Sequence, residues 1–466
     1  MASFLIVFCF VFTAILFCLL FTKHLKQFLF SSSSKIAIVI ICAIGICGCQ
    51  QKQLPDFTNR NINDVIIKMT DIMVHDITNP PLATRFFSYT CLAGYEVVAQ
   101  NNREFESMHG KLNDYPLVQT PGVSSPYSYQ LAALLAMMET AKKMHPSGKL
   151  MDEYETKFLD SCKNAGIDKE TINNSLQYAQ TISKQILAYA KADNYNKISN
   201  LPRYTPLNKE GSWFPTPPGY FEAVEPHFNT VRPFILDSCN QFKPEPPVEF
   251  STIKGSPFFK LIEANYKAGN ELTEEQQGIA AFWDCNPFAM QDNGHLMYGI
   301  KKISPGAHWL GIAGVACAKE KVGFDKSMQI FTVLSVGLMD GFICCWDEKF
   351  RSNRIRPETA IRKYIDPTWQ PLLQTPPFPE YLSGHSVISA ASATILTHFF
   401  GNQFSFTDDV EVQYGLPPRT FSSFNSAAEE AAISRFYGGI HFMDAIDNGL
   451  IQGREVGERV LQRLLQ

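Results

Sequence analysis

From about Asn61 onward the apolar residues recur at intervals of three and four. AGYEVVAQ, SYQLAALLAMMETAKKM, INNSLQYAQTISKQILAYAKA and EEQQGIAAFW each present one apolar face, which is the period of an α-helix. Strand-like alternation is scarce. Between Leu201 and Phe258 the pattern breaks. LPRYTPLNKEGSWFPTPPGYF and FKPEPPVEFSTIKGSPFF are dense in proline, which stops helices and predicts loops or a long connection. The expected fold class is all-α: two helical bundles packed together, with helical halves near 60–200 and 270–466.

In the second half the helices can be placed individually. FDKSMQIFTVLSVGLMDGFICCWDEKF runs without proline and predicts one long helix. It must end by Arg356, because Pro357 disfavours helical geometry at the residue before it. Ser383 is a good N-cap for SVISAASATILTHFFG, an apolar helix stopped near Gly401. SAAEEAAISRFYGG predicts a helix terminated at Gly438-Gly439, and DNGLIQGREVGERVLQRLL predicts the last one.

The first fifty residues follow a different pattern. Ser3 to Phe21 carries no charge and is nearly long enough to span a bilayer. Lys23, His24 and Lys26 follow, and a second, shorter apolar run after Lys35 ends in small residues and Cys49. A basic flank, a short apolar core and a small-residue end make a secretory signal. Ile46-Cys47-Gly48-Cys49 resembles a bacterial lipobox with Cys49 as the lipidated residue. The expectation is a signal or membrane-anchor segment at 1–49 of a cell-envelope protein, periplasmic or lipid-anchored. A plain membrane anchor, with Ser3 to Phe21 as a transmembrane helix, is the alternative. Residues 50–260 then form an N-terminal helical half that includes the Pro-rich connection, and 261–466 a C-terminal bundle. Membrane contact is expected only through the N-terminal segment or its lipid.

Of the 466 residues 45% are hydrophobic and 18% charged, an ordinary globular balance. The net charge of −4 gives no ground for expecting nucleic acid as a partner. Any anion site must therefore be built from a few local cations. Five cysteines lie in the leader; the other seven, at 91, 162, 239, 285, 317, 344 and 345, are odd in number and scattered among apolar residues. That predicts buried free thiols, not a disulfide framework.

Three short stretches supply candidate chemistry. KFRSNRIRP (349–357) brings Lys349 and, at a helix end unwound by Pro357, Arg356. LSGH (382–385) brings a helix N-terminus with free N–H groups, the Ser383 hydroxyl, Gly384 and the imidazole of His385, a ready-made oxyanion site. SRFYGGIH (434–441) adds Arg435 and His441. Three cations, a hydroxyl, a helix N-terminus and two histidines are what a tetrahedral oxyanion needs. Taken singly, each stretch has a blander explanation. Lys349, Arg351, Arg354 and Arg356 read as a solvated run pairing with Asp347 and Glu348, and Trp346 and Phe378 read as core. Only the joint spacing overturns these.

K-x6-RP, then SGH, then SR-x5-H, in that order, resembles the signature of the vanadium-dependent haloperoxidases and the related type 2 acid phosphatases. Trp346 and the FPEY stretch before Leu382 extend the resemblance. The whole helical chain resembles the bacterial haloperoxidase-like branch. The resemblance implies a paired-bundle fold. It implies that Lys349, Arg356, Ser383, Gly384 and Arg435 bind the oxygens of vanadate or phosphate. It implies His441 as the residue bonded to vanadium, or attacking phosphorus, and His385 as general acid–base. Vanadate would take up hydrogen peroxide, Lys349 would polarise it, and a halide would leave as hypohalous acid. Phe378 and Trp346 would form an apolar pocket wall that suits a halide better than a bulky phosphate ester.

Leu382 stands where the family usually has Pro, and Ala445 stands where its second motif usually has Asp. Asp444 is the nearest substitute as a partner for the second nitrogen of His441. The readings to weigh are a vanadate-dependent haloperoxidase, a phosphatase working through a phosphohistidine on the same site, and an envelope protein that only binds an oxyanion. Asp340 is a candidate buttress for a cation or a surface residue; His295 and His308 are expected to be structural.

Overall fold

The computed structural model describes residues 56–123, 125–292 and 297–466. The leader expectations for 1–49, Cys49 included, and His295 lie outside these residues. Among the described residues, five helices come from the first half: α1 (Asn59–Asp76), α2 (Pro80–Asn101), α3 (Tyr129–Met144), α4 (Lys149–Asn164) and α5 (Lys169–Lys191). Eight come from the second: α6 (Pro257–Asn270), α7 (Glu274–Phe282), α8 (Pro305–Lys319), α9 (Phe324–Ser352), α10 (Pro357–Tyr364), α11 (Gly384–Phe400), α12 (Phe424–Tyr437) and α13 (Met443–Leu465). The strands are two short antiparallel pairs, β1 (Met290–Asp292) with β2 (Met297–Gly299) and β3 (Phe406–Asp408) with β4 (Arg419–Phe421). The all-α expectation holds.

The helix boundaries follow local chemistry. Ser128, Asp168, Ser256, Ser304, Ser383 and Ser423 each cap a helix by accepting a first-turn N–H. The long helix α9 ends four residues before Arg356, where Asn353 adopts a left-handed conformation (φ 49°) and its N–H closes on Lys349 O. Apolar enough over its length to cross a membrane, α9 is instead enclosed by the other helices, 94% of its most apolar window being buried.

Residues 56–466 form one compact unit, and one hydrophobic cluster runs through both halves. Helix α2, buried on nearly every face, packs along α9; on the other side α9 meets α11 and α13. The α11–α13 pair packs especially closely, because α13 carries Gly449, Gly453 and Gly457 on one face. A Cβ on Gly453 would lie 2.2 Å from Val387 O, and one on Gly449 2.8 Å from the Ser386 Cβ. Only glycine allows that approach.

The Pro-rich connection is helix-poor as expected, but it is not a loose tether. It is stitched to the segments around the C-terminal end of α9. Trp213 N–H donates to Asn353 O (2.9 Å), Ile355 N–H to Gly211 O (2.8 Å), and Val224 N–H to Pro377 O (3.0 Å). Asp340, inside α9, accepts the N–H groups of Phe234, Ile235 and Leu236 at 2.7–3.1 Å. It is fully buried and buttresses no cation of the candidate site: its task is to hold the connection. The seven cysteines among the described residues are free, six of them buried.

Candidate active site

The last turn of α9 points Trp346 and Lys349 the same way, one helical step apart. The Lys349 ammonium donates to the carbonyl oxygens of Pro379 (3.0 Å), Glu380 (3.1 Å) and Leu382, and sits 5.0 Å from the centre of the Phe378 ring. Beyond the helix end the chain is extended, so Arg356 turns inward. Its Nε donates to Phe378 O (2.9 Å), and its Nη1 to Ile440 O (2.8 Å) and His441 Nε2 (3.1 Å). Arg351, by contrast, stays at the surface and pairs with Asp347 and Glu348, as a solvated run would. Arg435 leaves the last turn of α12, its Nε on Ser434 Oγ (3.0 Å) and its Nη2 on Ala280 O (3.3 Å).

Ser383 opens α11, and its backbone N–H is anchored on Ala445 O of α13 at 3.0 Å. Gly384 and His385 form the first turn of α11 and face a cavity, as do Arg435, His441, Trp346 and Phe378. Cys285, Asn286 and Phe342 complete much of its wall. The cavity is small, about 30 Å³, room for about two or three water-sized groups. A Cβ on Gly384 would occupy it, 3.7 Å from Trp346 and 3.8 Å from Phe342. The structure thus brings together every candidate residue from the three motifs and the aromatic wall; Lys349, Arg356 and Ser383 sit just behind the cavity surface, buried.

His441 has a different partner from the one expected. Its Nδ1 meets Glu380 Oε1 at 3.0 Å, and the same oxygen accepts the N–H of Phe442 (2.9 Å). Asp444 does not touch the imidazole: it takes both terminal nitrogens of Arg354, whose Nε holds Glu380 Oε2 (2.6 Å). The chain of contacts is His441–Glu380–Arg354–Asp444, so Asp444 acts two residues further back. Its place at the start of α13 turns its carboxylate to Arg354 and leaves the imidazole to the FPEY segment. Glu380 was legible only as an acid inside that apolar stretch. Because a carboxylate accepts, Nδ1 carries the proton and Nε2 presents its lone pair.

Burial pushes both imidazoles well below the usual histidine range, helped at His441 by Arg356, Lys349 and Arg435, and at His385 by Arg435 and His441. Both are neutral. Burial likewise lowers Lys349 to about 7 and Arg356 to about 10. Among the described residues no carboxylate lies within ion-pair distance of Lys349, Arg356 or Arg435. Two buried nitrogens, Arg356 Nη2 and His385 Nε2, have no partner among the described residues. Unpaired buried cations and orphaned nitrogens are costly.

Comparison with known proteins agrees. Residues 329–466 match the family described as the VCPO second helical-bundle domain. The chain is 43% identical to a bacterial vanadium-dependent iodoperoxidase of known crystal structure, over 88% of this chain and 97% of that one, with a TM-score of 0.83. Two structures of a bacterial vanadium-dependent chloroperoxidase, apo and holo, share the fold at 14% and 15% identity. They cover 83% of this chain and 95% and 93% of theirs, with TM-scores of 0.60 and 0.61. No curated protein matches significantly. The chain belongs to the vanadium-dependent haloperoxidase family.

Proposed function

We propose that this enzyme is a vanadate-dependent haloperoxidase that oxidises halide, iodide first among them, with hydrogen peroxide. The observation that carries the reading is the set of three buried cations without carboxylate partners around a cavity that His441 Nε2 and His385 line. Vanadate held there would supply the Lewis-acid activation of peroxide that lets a halide be oxidised. The protein's own contribution is positional. His441, its ring fixed by Glu380, would offer Nε2 as the ligand, Arg356 Nη1 giving up its 3.1 Å contact to that nitrogen. Arg356, Arg435 and Lys349 would neutralise the anion's oxygens, and the Ser383 hydroxyl and the Gly384 backbone would complete the cradle. His385, neutral and without a partner on Nε2, is placed to take or give a proton on the cavity side. Trp346 and Phe378, their ring centres 4.9 Å apart, form an apolar wall on that side.

The same donors would suit a phosphoryl group, but the small aromatic-walled cavity favours peroxide and halide over a phosphate ester. The test is titration of phosphate-free protein with orthovanadate while peroxide-dependent iodide and bromide oxidation is followed, with p-nitrophenyl phosphate hydrolysis in parallel. Vanadate-dependent iodide oxidation, abolished in His441→Ala, is expected. Ester hydrolysis inhibited by vanadate would replace this reading with the phosphatase one. Activity unaffected by His385→Ala would remove His385 from the chemistry, and vanadate uptake with no turnover of either kind would leave a binding protein.

A further inference from the structure

Behind the cavity wall lies a second cluster that oxyanion binding does not use. Cys285 follows α7, His308 sits in the first turn of α8, and Glu411 follows β3. All three side chains are buried. Cys285 Sγ lies 3.5 Å from His308 Nδ1, His308 Nδ1 lies 3.5 Å from Glu411 Oε1, and Glu411 Oε1 lies 3.9 Å from Cys285 Sγ. The three atoms face one another across one small triangle.

A proton can bridge only one edge of such a triangle at a time, whereas a cation at its centre meets all three atoms. Zinc bonded at about 2.0–2.3 Å to oxygen, nitrogen and sulfur in a tetrahedron sets its ligand atoms about 3.3–3.6 Å apart. Two of the three edges fall in that range and the third is slightly long. The other nitrogen of His308 is already engaged, Nε2 meeting Asp408 Oδ2 at 2.8 Å. That is the carboxylate–histidine pairing that orients a metal-bound imidazole and fixes its tautomer, leaving the Nδ1 lone pair for the ion. Asp408 is itself held, its Oδ1 accepting the Val410 N–H at 3.1 Å. The ring is clamped as well, stacked on Trp283 at 4.7 Å with Phe282 edge-on at 5.5 Å.

We propose that Cys285, His308 and Glu411 bind a zinc ion, with Asp408 orienting His308. A thiolate, an imidazole and a carboxylate are a borderline-soft set that selects zinc over magnesium or calcium. One thiolate and one carboxylate balance the dication, so no net charge is added to the interior. Cys285 also lines the cavity, so the cluster borders the space beside His385 and His441. The ion would join the end of α7, the start of α8 and the loop after β3.

The test uses the full chain, equilibrated with buffered zinc and analysed for zinc and vanadium together by elemental mass spectrometry. One zinc ion per chain is expected. Cys285→Ala and Glu411→Gln should each weaken zinc binding by at least about tenfold. His441→Ala should keep its zinc while losing vanadium, which separates this site from the proposed oxyanion site. Should either ligand variant fold poorly, cobalt(II) in the unaltered protein decides: an intense near-ultraviolet thiolate-to-cobalt band with tetrahedral visible absorption supports the site. Substoichiometric zinc with no such band would overturn the proposal, as would zinc retained unchanged in both ligand variants.

Discussion

At the scale of single residues the geometry turns on what holds His441. An imidazole that is to present Nε2 must have its Nδ1 proton committed, and Glu380 commits it while also taking the Phe442 N–H and Arg354. Glu380→Gln keeps the shape but weakens the acceptor and leaves Arg354 half-compensated. Vanadate affinity should fall about 10- to 100-fold, with the helical circular dichroism unchanged; an unaltered affinity would show that the backbone alone orients the ring. Asp444→Asn, one contact further out, should cost less. Lys349 makes a second prediction. Burial lowers it to about 7, and an adjacent anion would raise it again. Anion binding therefore takes up a proton above pH 7, so this contribution to affinity is complete below 7 and is lost as pH rises beyond it. Relative to Lys349→Gln, the native protein's vanadate affinity should decline by up to about tenfold per pH unit above 7. Subtracting the variant removes the anion's own titration, and parallel profiles would show that Lys349 does not titrate there.

At the scale of helices, most of the second half was legible. The end of α9, the Ser383 cap and the stop of α12 at Gly438 are local facts, set by proline, a hydroxyl and glycine, and they place the three motifs correctly. The partner of His441 was not legible in the same way. Glu380 is 61 residues away, and no periodicity connects it to α13. Nor did GLIQGREVG, read simply as a helix, announce that its glycines form a contact face. That face matters to the site, since α11 carries Ser383 as its cap and Gly384 and His385 in its first turn, and leans on α13 through Gly449 and Gly453. A side chain at Gly453 must displace the Val387 carbonyl, and α11 would move with it. Gly453→Val should destabilise the protein by about 1–3 kcal/mol, read as a lower denaturant midpoint, and should weaken vanadate binding although residue 453 never touches the cavity. Loss of stability with full vanadate affinity would mean that α11 yields only at its far end.

At the scale of the molecule, the Pro-rich connection is the element whose purpose composition could not convey. Proline marks it as non-helical, but its position depends on hydrogen bonds to residues more than a hundred positions away. Asp340 is the principal one. Its carboxylate lies in the middle of α9, wholly buried, and burial raises it to about 6, so that it is ionised at neutral pH. Three backbone N–H groups at residues 234–236 supply the stabilisation that solvent would otherwise give. The same fold places the Val224 carbonyl on the Trp346 indole nitrogen (3.1 Å), linking the connection directly to the cavity wall. Asp340→Asn replaces one acceptor oxygen with a donor group, which faces N–H groups instead of accepting from them. At least one buried N–H is orphaned, at about 1–3 kcal/mol. The loss should concentrate in the connection: proteolysis between 201 and 257 should accelerate in the variant while α9 and α11 stay resistant, and iodide oxidation should fall as Trp346 loses its support. If the variant unfolds as a whole with no early cleavage in that segment, Asp340 stabilises the core of the molecule and not the cover of its site.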